Sequence, residues 1–149
     1  MKAKTLAGWT GLTLVAIAVL IQLVPYGRAH TNPEVIVEPA WDSPQTRELA
    51  LRACFDCHSN ETQWPWYTHV APVSWFIQDH VDSGRRHLNF SEWNRTQKHA
   101  HEAGETVAEG EMPISNYLWL HPEARLDASE SEALVRGLNA TFGVDEADD

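Results

Sequence analysis

The sequence predicts an all-α fold preceded by one N-terminal transmembrane helix, and three observations support this prediction. No segment sustains the alternation of apolar and polar residues that is typical of a β-strand. Apolar residues recur at intervals of three or four within residues 73–81 and 133–138, as they do on the buried face of a helix. An apolar run without a formal charge extends from Thr5 to Val24. We therefore expect a helical soluble domain that follows this run.

The apolar run is long enough to cross a bilayer, because a membrane-spanning helix needs about 20 predominantly apolar residues. Lys2 and Lys4 precede the run, so the positive-inside tendency keeps the N-terminus in the cytoplasm. Arg28 on the exit side weakens this bias. We expect a single-pass protein of the cytoplasmic membrane whose soluble domain is periplasmic or otherwise extracytoplasmic.

A cleaved signal peptide is the alternative interpretation of the same segment. Gly27 and Ala29 are small residues that could precede a cleavage site. The apolar region of a signal peptide is usually about 7 to 15 residues long, which is shorter than this run. We therefore favour an uncleaved membrane anchor over residues 1–29, and either interpretation implies an exported domain.

Prolines and a helix cap mark the start of the soluble part. Residues 30–42 contain two prolines among scattered apolar positions, which predicts an extended linker. Ser43 followed by Pro44 is typical of a helix N-cap and a first helical position. We expect this helix to continue directly into Cys54.

The predicted domain covers residues 43–143. After the helix that leads into Cys54, start and stop signals predict four more helices. Pro72 opens one helix, and Gly84 weakens or ends it. The other three are expected from Ser91 to about His101, from Glu105 to Glu109 with an end at Gly110, and after a capping box formed by Asp127 and Glu130.

The chain is acidic, with 21 Asp and Glu residues against 11 Lys and Arg residues and a formal net charge of -10. Such a surface repels phosphate backbones and shows no basic stripe, so we expect no nucleic-acid partner. A basic protein partner fits this charge, although acidic residues also simply solvate a small domain. Residues 144–149 form an acidic tail that we expect to be disordered.

The stretch Cys54-Phe55-Asp56-Cys57-His58 carries the most specific chemical signal in the sequence. Positions three and four apart on one helical turn share a face, so both thiols and the imidazole point the same way. Cys-x-x-Cys-His is the signature of c-type haem attachment, in which the thiols join the two vinyl groups and the histidine ligates the iron. The sequence therefore predicts one covalent haem c, attached through Cys54 and Cys57, with its iron ligated by His58.

Three other uses of the two cysteines have less support. A redox dithiol lacks the βαβ context expected of a thioredoxin-like fold. A structural zinc site needs four ligands at a recognisable spacing, whereas the chain has only two cysteines and the pair His99 and His101 is too close in sequence. A disulfide across so short a loop would stabilise the fold little. Haem attachment is favoured over all three.

Beyond this motif, the chain resembles a family of small bacterial haem-binding-domain proteins that are related in style to monohaem cytochromes c. The resemblance covers nearly the whole length of the chain. It implies haem binding, an exported location and a cytochrome c-like helical domain around one covalent haem, whereas the physiological reaction of the family is poorly defined. The matching stretches are PYGR at 25–28, CHSNET at 57–62, WPWY at 64–67, GRRHLNFS at 84–91, GEMP at 110–113 and HPEARL at 121–126.

The ligand on the opposite side of the iron must be inferred. Met112 is the only methionine besides Met1, and it lies late in the chain before a proline, as the sixth ligand does in many monohaem cytochromes c. Methionine also fills gaps in protein cores, which would give Met112 a packing role only. His121 and His69 are the alternative ligands.

Further residues are candidates for contact with the haem. Arg85 and Arg86 could pair with the haem propionates, because a guanidinium matches a carboxylate in a bidentate way, or they could be ordinary surface charges. A group of aromatic residues could line the haem or form an ordinary core. These residues are Trp64, Trp66, Tyr67 and Trp75.

The leading functional hypothesis is one-electron transfer at the outer face of the cytoplasmic membrane, by a carrier rather than an enzyme. A His and Met pair closes both axial positions of the iron, which leaves no open site for a substrate. The expected partners are a redox partner protein or a membrane respiratory complex, and the membrane itself. The alternatives are a haem-based sensor or peroxidase-like enzyme with an open or displaceable distal site, and a haem-bearing subunit of a larger membrane complex.

Overall fold

A computed structural model describes residues 2–144 of the chain, with side chains from residue 8 onward. Within these residues the regular structure is helical, and one residue pair, Val37 and Glu92, forms an isolated β-bridge. The all-α part of the prediction is therefore confirmed. The α-helices are α1 (Lys2–Leu20), α2 (Pro44–Ala53), α3 (Phe55–His58), α4 (Val73–His87), α5 (Ala103–Ala108) and α6 (Ala128–Phe142), and short 3-10 helices cover Ile21–Leu23, Trp66–His69, Tyr117–Trp119 and Pro122–Ala124.

The prediction of an N-terminal transmembrane helix is wrong. Helix α1 ends at Leu20 and is followed by the tighter 3-10 helix at Ile21–Leu23, so the run from Thr5 to Val24 is not one continuous α-helix. The 19 residues of α1 also include two lysines in its first turn. None of the helices in the described range combines the length and the apolar character that crossing a bilayer requires. The expected single-pass location in the cytoplasmic membrane is wrong for the same reason.

Helices α2 and α6 begin where the sequence predicts. At α2, the Ser43 hydroxyl accepts a hydrogen bond from the Thr46 N–H at 3.2 Å, and Pro44 occupies the first turn. At α6, the Asp127 carboxylate accepts from the Glu130 N–H at 2.8 Å, and the Glu130 carboxylate accepts from the Asp127 N–H at 3.0 Å. Caps of this kind contribute about 1 kcal/mol each to helix stability.

The helix predicted from Ser91 to about His101 is wrong. The chain between Ser91 and α5 forms turns, and α5 itself lies close to the short helix predicted at Glu105–Glu109. The Ser91 hydroxyl accepts a hydrogen bond from the Asn60 N–H at 2.9 Å instead of capping a helix. The hydroxyl that was expected to cap this helix therefore bonds to a distant part of the chain.

The described chain divides into two compact units. The first unit contains residues up to 31 together with residues 64–80, and the second contains residues 32–63 together with those from 81 onward. In the first unit, the Gln22 amide donates to the Ala71 carbonyl at 2.9 Å and accepts from the Ala71 N–H at 3.0 Å. The guanidinium of Arg28 donates to the same Gln22 amide oxygen at 3.0 Å.

The second unit contains the larger hydrophobic core, formed mainly by α2, α6 and the residues around the Cys-x-x-Cys-His stretch. Trp41 packs against this core, with ring centroids 5.1 Å from Phe90 and 5.7 Å from Phe142. Trp41 lies in the predicted linker, so the second half of that segment contributes to the packing. Apart from Val144, the predicted acidic tail lies outside the described residues. The most deeply buried core residues are Ala50, Phe55, Phe90, Leu134 and Leu138.

Candidate functional site

The two cysteines and His58 lie on one turn at the junction of α2 and α3. The Cys54 N–H donates to the Ala50 carbonyl at 2.8 Å and completes α2. The Cys54 carbonyl then accepts from the Cys57 N–H at 3.2 Å and from the His58 N–H at 2.9 Å. Both cysteines are free thiols and are partly buried. The backbone therefore brings the three side chains of the motif onto a single helical turn, as their spacing predicts.

The imidazole of His58 has a fixed orientation. Its Nδ1 donates a hydrogen bond to the Leu88 carbonyl at 3.1 Å, because a carbonyl oxygen can only accept. This bond selects the tautomer whose Nε2 carries the lone pair, which is the form that ligates metals. Burial lowers the pKa of His58, and hydrogen bonds to the Leu88 and Gly84 backbone only partly oppose this effect. The imidazole is therefore neutral at pH 7.

The sequence predicts that Gly84 weakens or ends its helix. Helix α4 does not end there but continues to His87. A Cβ added to Gly84 would lie 2.9 Å from the carbonyl carbon of Cys57 and 3.0 Å from its Cβ, which is closer than ordinary contact. Glycine is therefore needed because the backbone of Cys57 passes directly over α4. The same helix end holds the Leu88 carbonyl that orients His58, since the Leu88 N–H donates to the Gly84 carbonyl at 2.9 Å.

The two thiols are weak acids in this environment. Burial raises the pKa of Cys54 to about 12 and that of Cys57 to about 11, and the neighbouring Asp56 carboxylate adds to the effect at Cys57. Both groups are therefore protonated at neutral pH. Redox-active dithiols have lowered thiol pKa values, so these shifts are opposite to those that a redox dithiol needs.

Asp56, in the middle of the motif, joins it to a distant segment. Its Oδ2 accepts a hydrogen bond from the Tyr117 hydroxyl at 2.7 Å, and its Oδ1 accepts from the Gln63 N–H at 2.8 Å. The Asp56 carbonyl also accepts from the Thr62 hydroxyl at 2.7 Å. The contact between Asp56 and Tyr117 could not be predicted from the sequence, because a pair separated by 61 residues leaves no periodic signal.

Two of the stretches that carry the family resemblance, 57–62 and 84–91, bond to each other. The Phe90 N–H donates to the His58 carbonyl at 2.8 Å. The Asn89 amide donates to the buried Asn60 side chain at 2.9 Å, and that side chain donates to Glu92 at 3.1 Å. This network holds the chain that follows His58 in place.

Arg85 was predicted to contact haem propionates, and it already makes several hydrogen bonds to the chain. Its Nε donates to the Ser59 carbonyl at 2.8 Å. Its Nη2 donates to the Thr62 hydroxyl at 2.9 Å and to the Asn32 side chain at 3.1 Å. Arg85 thus supports the segment after His58, and its contact with a propionate stays a prediction.

Met112 and His121, the two candidate sixth ligands of the second unit, differ in their surroundings. Met112 follows the turn at Gly110 after α5, and its side chain is 37% exposed. The His121 ring stacks on Tyr117, with centroids 4.1 Å apart and an interplanar angle of 13°. The His121 Nδ1 lies 3.1 Å from the Glu123 carboxylate. Through Tyr117, the surroundings of His121 are joined to Asp56.

The predicted aromatic residues Trp64, Trp66 and Tyr67, together with His69, belong to the first unit. Two of them, Trp64 and His69, contact His30, which no motif in the sequence marks. The His30 ring stacks on Trp64 at 4.6 Å and meets His69 edge-on at 4.2 Å. The ring of Tyr67 lies 5.9 Å from that of Trp66. The contact of these residues with haem, and ligation by His69, stay predictions.

Comparison with known proteins gives one finding. A family model described as a haem-binding domain matches residues 16–140 of the 149-residue chain, a range that includes the whole Cys54–His58 stretch and Met112. No curated protein matches the chain, and no solved structure matches it. The expected cytochrome c-like arrangement of the helices stays a prediction.

Proposed function

Because this chain belongs to the haem-binding-domain family, we propose that it carries one haem attached covalently through Cys54 and Cys57, with His58 as an iron ligand. One observation carries the proposal: the two thiols share a helical turn with an imidazole whose Nδ1 is bonded to the Leu88 carbonyl. That bond leaves the lone pair on Nε2, where iron would be held.

The donor set fits a haem of the c type. Addition of each protonated thiol across a vinyl C=C bond places sulfur on one carbon and hydrogen on the other, so attachment consumes no oxidant or reductant. The chain's own part is to hold the three donors together. Gly84 admits the Cys57 backbone against α4, and the Leu88 carbonyl at the end of that helix fixes the His58 ring.

We further propose that the protein is a one-electron carrier for a protein partner. When bound, the haem iron supplies the change between two oxidation states. The proposed sixth ligand is the Met112 thioether, a soft donor that favours ferrous iron and closes the second axial position. A sensor or peroxidase-like function needs that position to be open or easily opened.

His121 is the second candidate ligand, and a specific contact favours it. Its ring stacks on Tyr117, whose hydroxyl donates to Asp56 inside the attachment motif. The Tyr117 side chain therefore links His121 to Asp56. An imidazole in the sixth position gives a lower reduction potential than a thioether does.

Spectra of the oxidised and reduced protein, with and without carbon monoxide, test these assignments. We expect a low-spin wild type that binds carbon monoxide slowly. Met112→Ala opens the sixth position, so it should give a high-spin ferric spectrum and bind carbon monoxide readily, while His121→Ala should keep the wild-type spectrum. The reverse pattern assigns the ligand to His121. A wild type that is already high-spin and open to carbon monoxide contradicts the carrier and favours the sensor or peroxidase-like function.

A further inference from the structure

We propose that Trp119 and Leu120 form the docking surface for a redox partner whose own surface is basic. The inference rests on the proposed function as an electron carrier and adds where the partner binds. We call these two residues the Trp119–Leu120 surface.

The Trp119–Leu120 surface exposes two adjacent large apolar side chains. Trp119 is 78% exposed and Leu120 is 62% exposed, at the end of the 3-10 helix Tyr117–Trp119. Single exposed apolar residues are common on protein surfaces, so exposure alone carries no argument. Tryptophan is, however, enriched at the centres of protein interfaces, where its burial contributes most to binding.

The surface is connected to the attachment motif by a short structural path. Tyr117 lies two residues before Trp119, and its hydroxyl donates to Asp56 at 2.7 Å. Asp56 lies between the two cysteines. The carbonyl of Leu118 is held by the Arg125 guanidinium at 3.2 Å, which fixes the backbone between Tyr117 and Trp119. The Tyr117–Asp56 hydrogen bond therefore joins the segment that carries Trp119 and Leu120 to the attachment motif.

The charge around the surface identifies the kind of partner. Residues 99–125 contain five glutamates and one basic residue, Arg125, whose guanidinium donates to the Leu118 carbonyl. Four of these glutamates, Glu105, Glu109, Glu111 and Glu123, are exposed. An apolar patch in an acidic segment is complementary to a partner that surrounds its own apolar patch with lysines, and such complementarity speeds association.

The test measures electron transfer from the reduced haem-loaded protein to a lysine-rich mitochondrial cytochrome c by stopped-flow absorbance. We expect the second-order rate constant to fall by roughly tenfold or more between about 10 and 300 mM salt. Trp119→Ala with Leu120→Ala should lower it about tenfold at low salt. Trp9→Ala is the matched control, because Trp9 is also a largely exposed tryptophan, at 71%, and has no proposed contact with haem, so its rate should stay within about twofold of wild type.

Two further measurements keep the test decisive. Glu109→Gln, Glu111→Gln and Glu123→Gln together should weaken the salt dependence without touching the apolar pair. Oxidation by ferricyanide, a strong small oxidant that needs no apolar docking surface, should proceed at the same rate in the wild type and in the double alanine variant. Should the double variant fail to fold, Trp119→Ala alone replaces it.

The outcomes separate failure of this inference from failure of the proposed function. A double variant that transfers electrons to the cytochrome as fast as the wild type overturns the docking surface, and so does a Trp9→Ala variant that is slowed equally. A wild-type haem that ferricyanide cannot oxidise contradicts the electron-carrier function itself.

Discussion

The orientation of His58 depends on a single hydrogen bond from Nδ1 to the Leu88 carbonyl. Metal-ligating histidines generally use their second ring nitrogen in this way, and the bond fixes both the tautomer and the direction of the ligating lone pair. The types and spacing of Cys54, Cys57 and His58 predict this site from the sequence. The Leu88 carbonyl could not be predicted, because a backbone acceptor carries no sequence signal.

Tyr117 supports the attachment motif through its hydrogen bond to Asp56. Tyr117→Phe removes the hydroxyl and keeps the ring that stacks on His121, so it should lower the free energy of unfolding by about 1 to 2 kcal/mol. Chemical denaturation measures the change. Asp56→Asn and the double variant complete a mutant cycle. Effects of the two single changes that add within about 0.5 kcal/mol would contradict the coupling that we expect between the two side chains.

At the scale of the helices, the sequence predicts features that depend on neighbouring residues. It does not predict features that depend on distant contacts. The starts of α2 and α6 were predictable because their caps lie within three residues of the helix they begin. The sequence could not reveal that the helix expected after Ser91 fails to form. The Ser91 hydroxyl accepts a hydrogen bond from the distant Asn60 N–H instead. The transmembrane prediction for the run from Thr5 to Val24 was wrong for another reason, because composition alone does not reveal that α1 ends at Leu20.

Gly84 sets the distance between α4 and the attachment motif. Gly84→Ala forces the backbone of Cys57 away from α4, so it should destabilise the protein by about 1 to 3 kcal/mol. Thermal unfolding followed by circular dichroism measures this change. Gly11→Ala is the control, because a Cβ at Gly11 meets nothing within 4 Å and alanine favours the helix. Equal destabilisation by the two substitutions would contradict the claim that the close approach of Cys57 requires glycine at position 84.

Glu38 ties the extended segment to α2 and gives the stability a pH dependence. Its carboxylate accepts from Arg47 Nε at 2.7 Å and from the Trp41 indole at 2.8 Å. The hydrogen bond from Arg47 is the main reason why the pKa of Glu38 lies below its ordinary value of 4.5. A lowered folded-state pKa stabilises above the unfolded-state pKa, and this contribution disappears as the pH falls through the folded-state pKa.

We therefore expect Glu38→Gln to be less stable than the wild type at pH 7, by up to about 1 kcal/mol because the pair is partly exposed. The difference should shrink as the pH falls from about 5 towards 3. Denaturant unfolding at a series of pH values measures it. A difference that is constant over this range, or that grows towards low pH, would contradict the role given to the carboxylate.

At the scale of the whole molecule, the chain combines an acidic surface with a small helical core that contains the attachment motif. The net charge of -10 was available from the sequence, whereas the position of the exposed pair Trp119 and Leu120 beside Tyr117 was not. The division into two units was not predictable either, because it groups residues that are far apart in sequence. Within this organisation, the haem attachment is the claim on which the proposed electron transfer depends.

The mass of the denatured polypeptide tests that claim most directly. The protein is produced in cells able to attach haem c, unfolded in acid and measured by mass spectrometry. The wild type should weigh the sum of its chain and one haem, and Cys54→Ala with Cys57→Ala should weigh the chain alone. Met112→Ala should keep the haem, because a thioether ligand takes no part in the covalent attachment. A wild-type chain that carries no haem after unfolding, or a double cysteine variant that still carries one, would contradict the account.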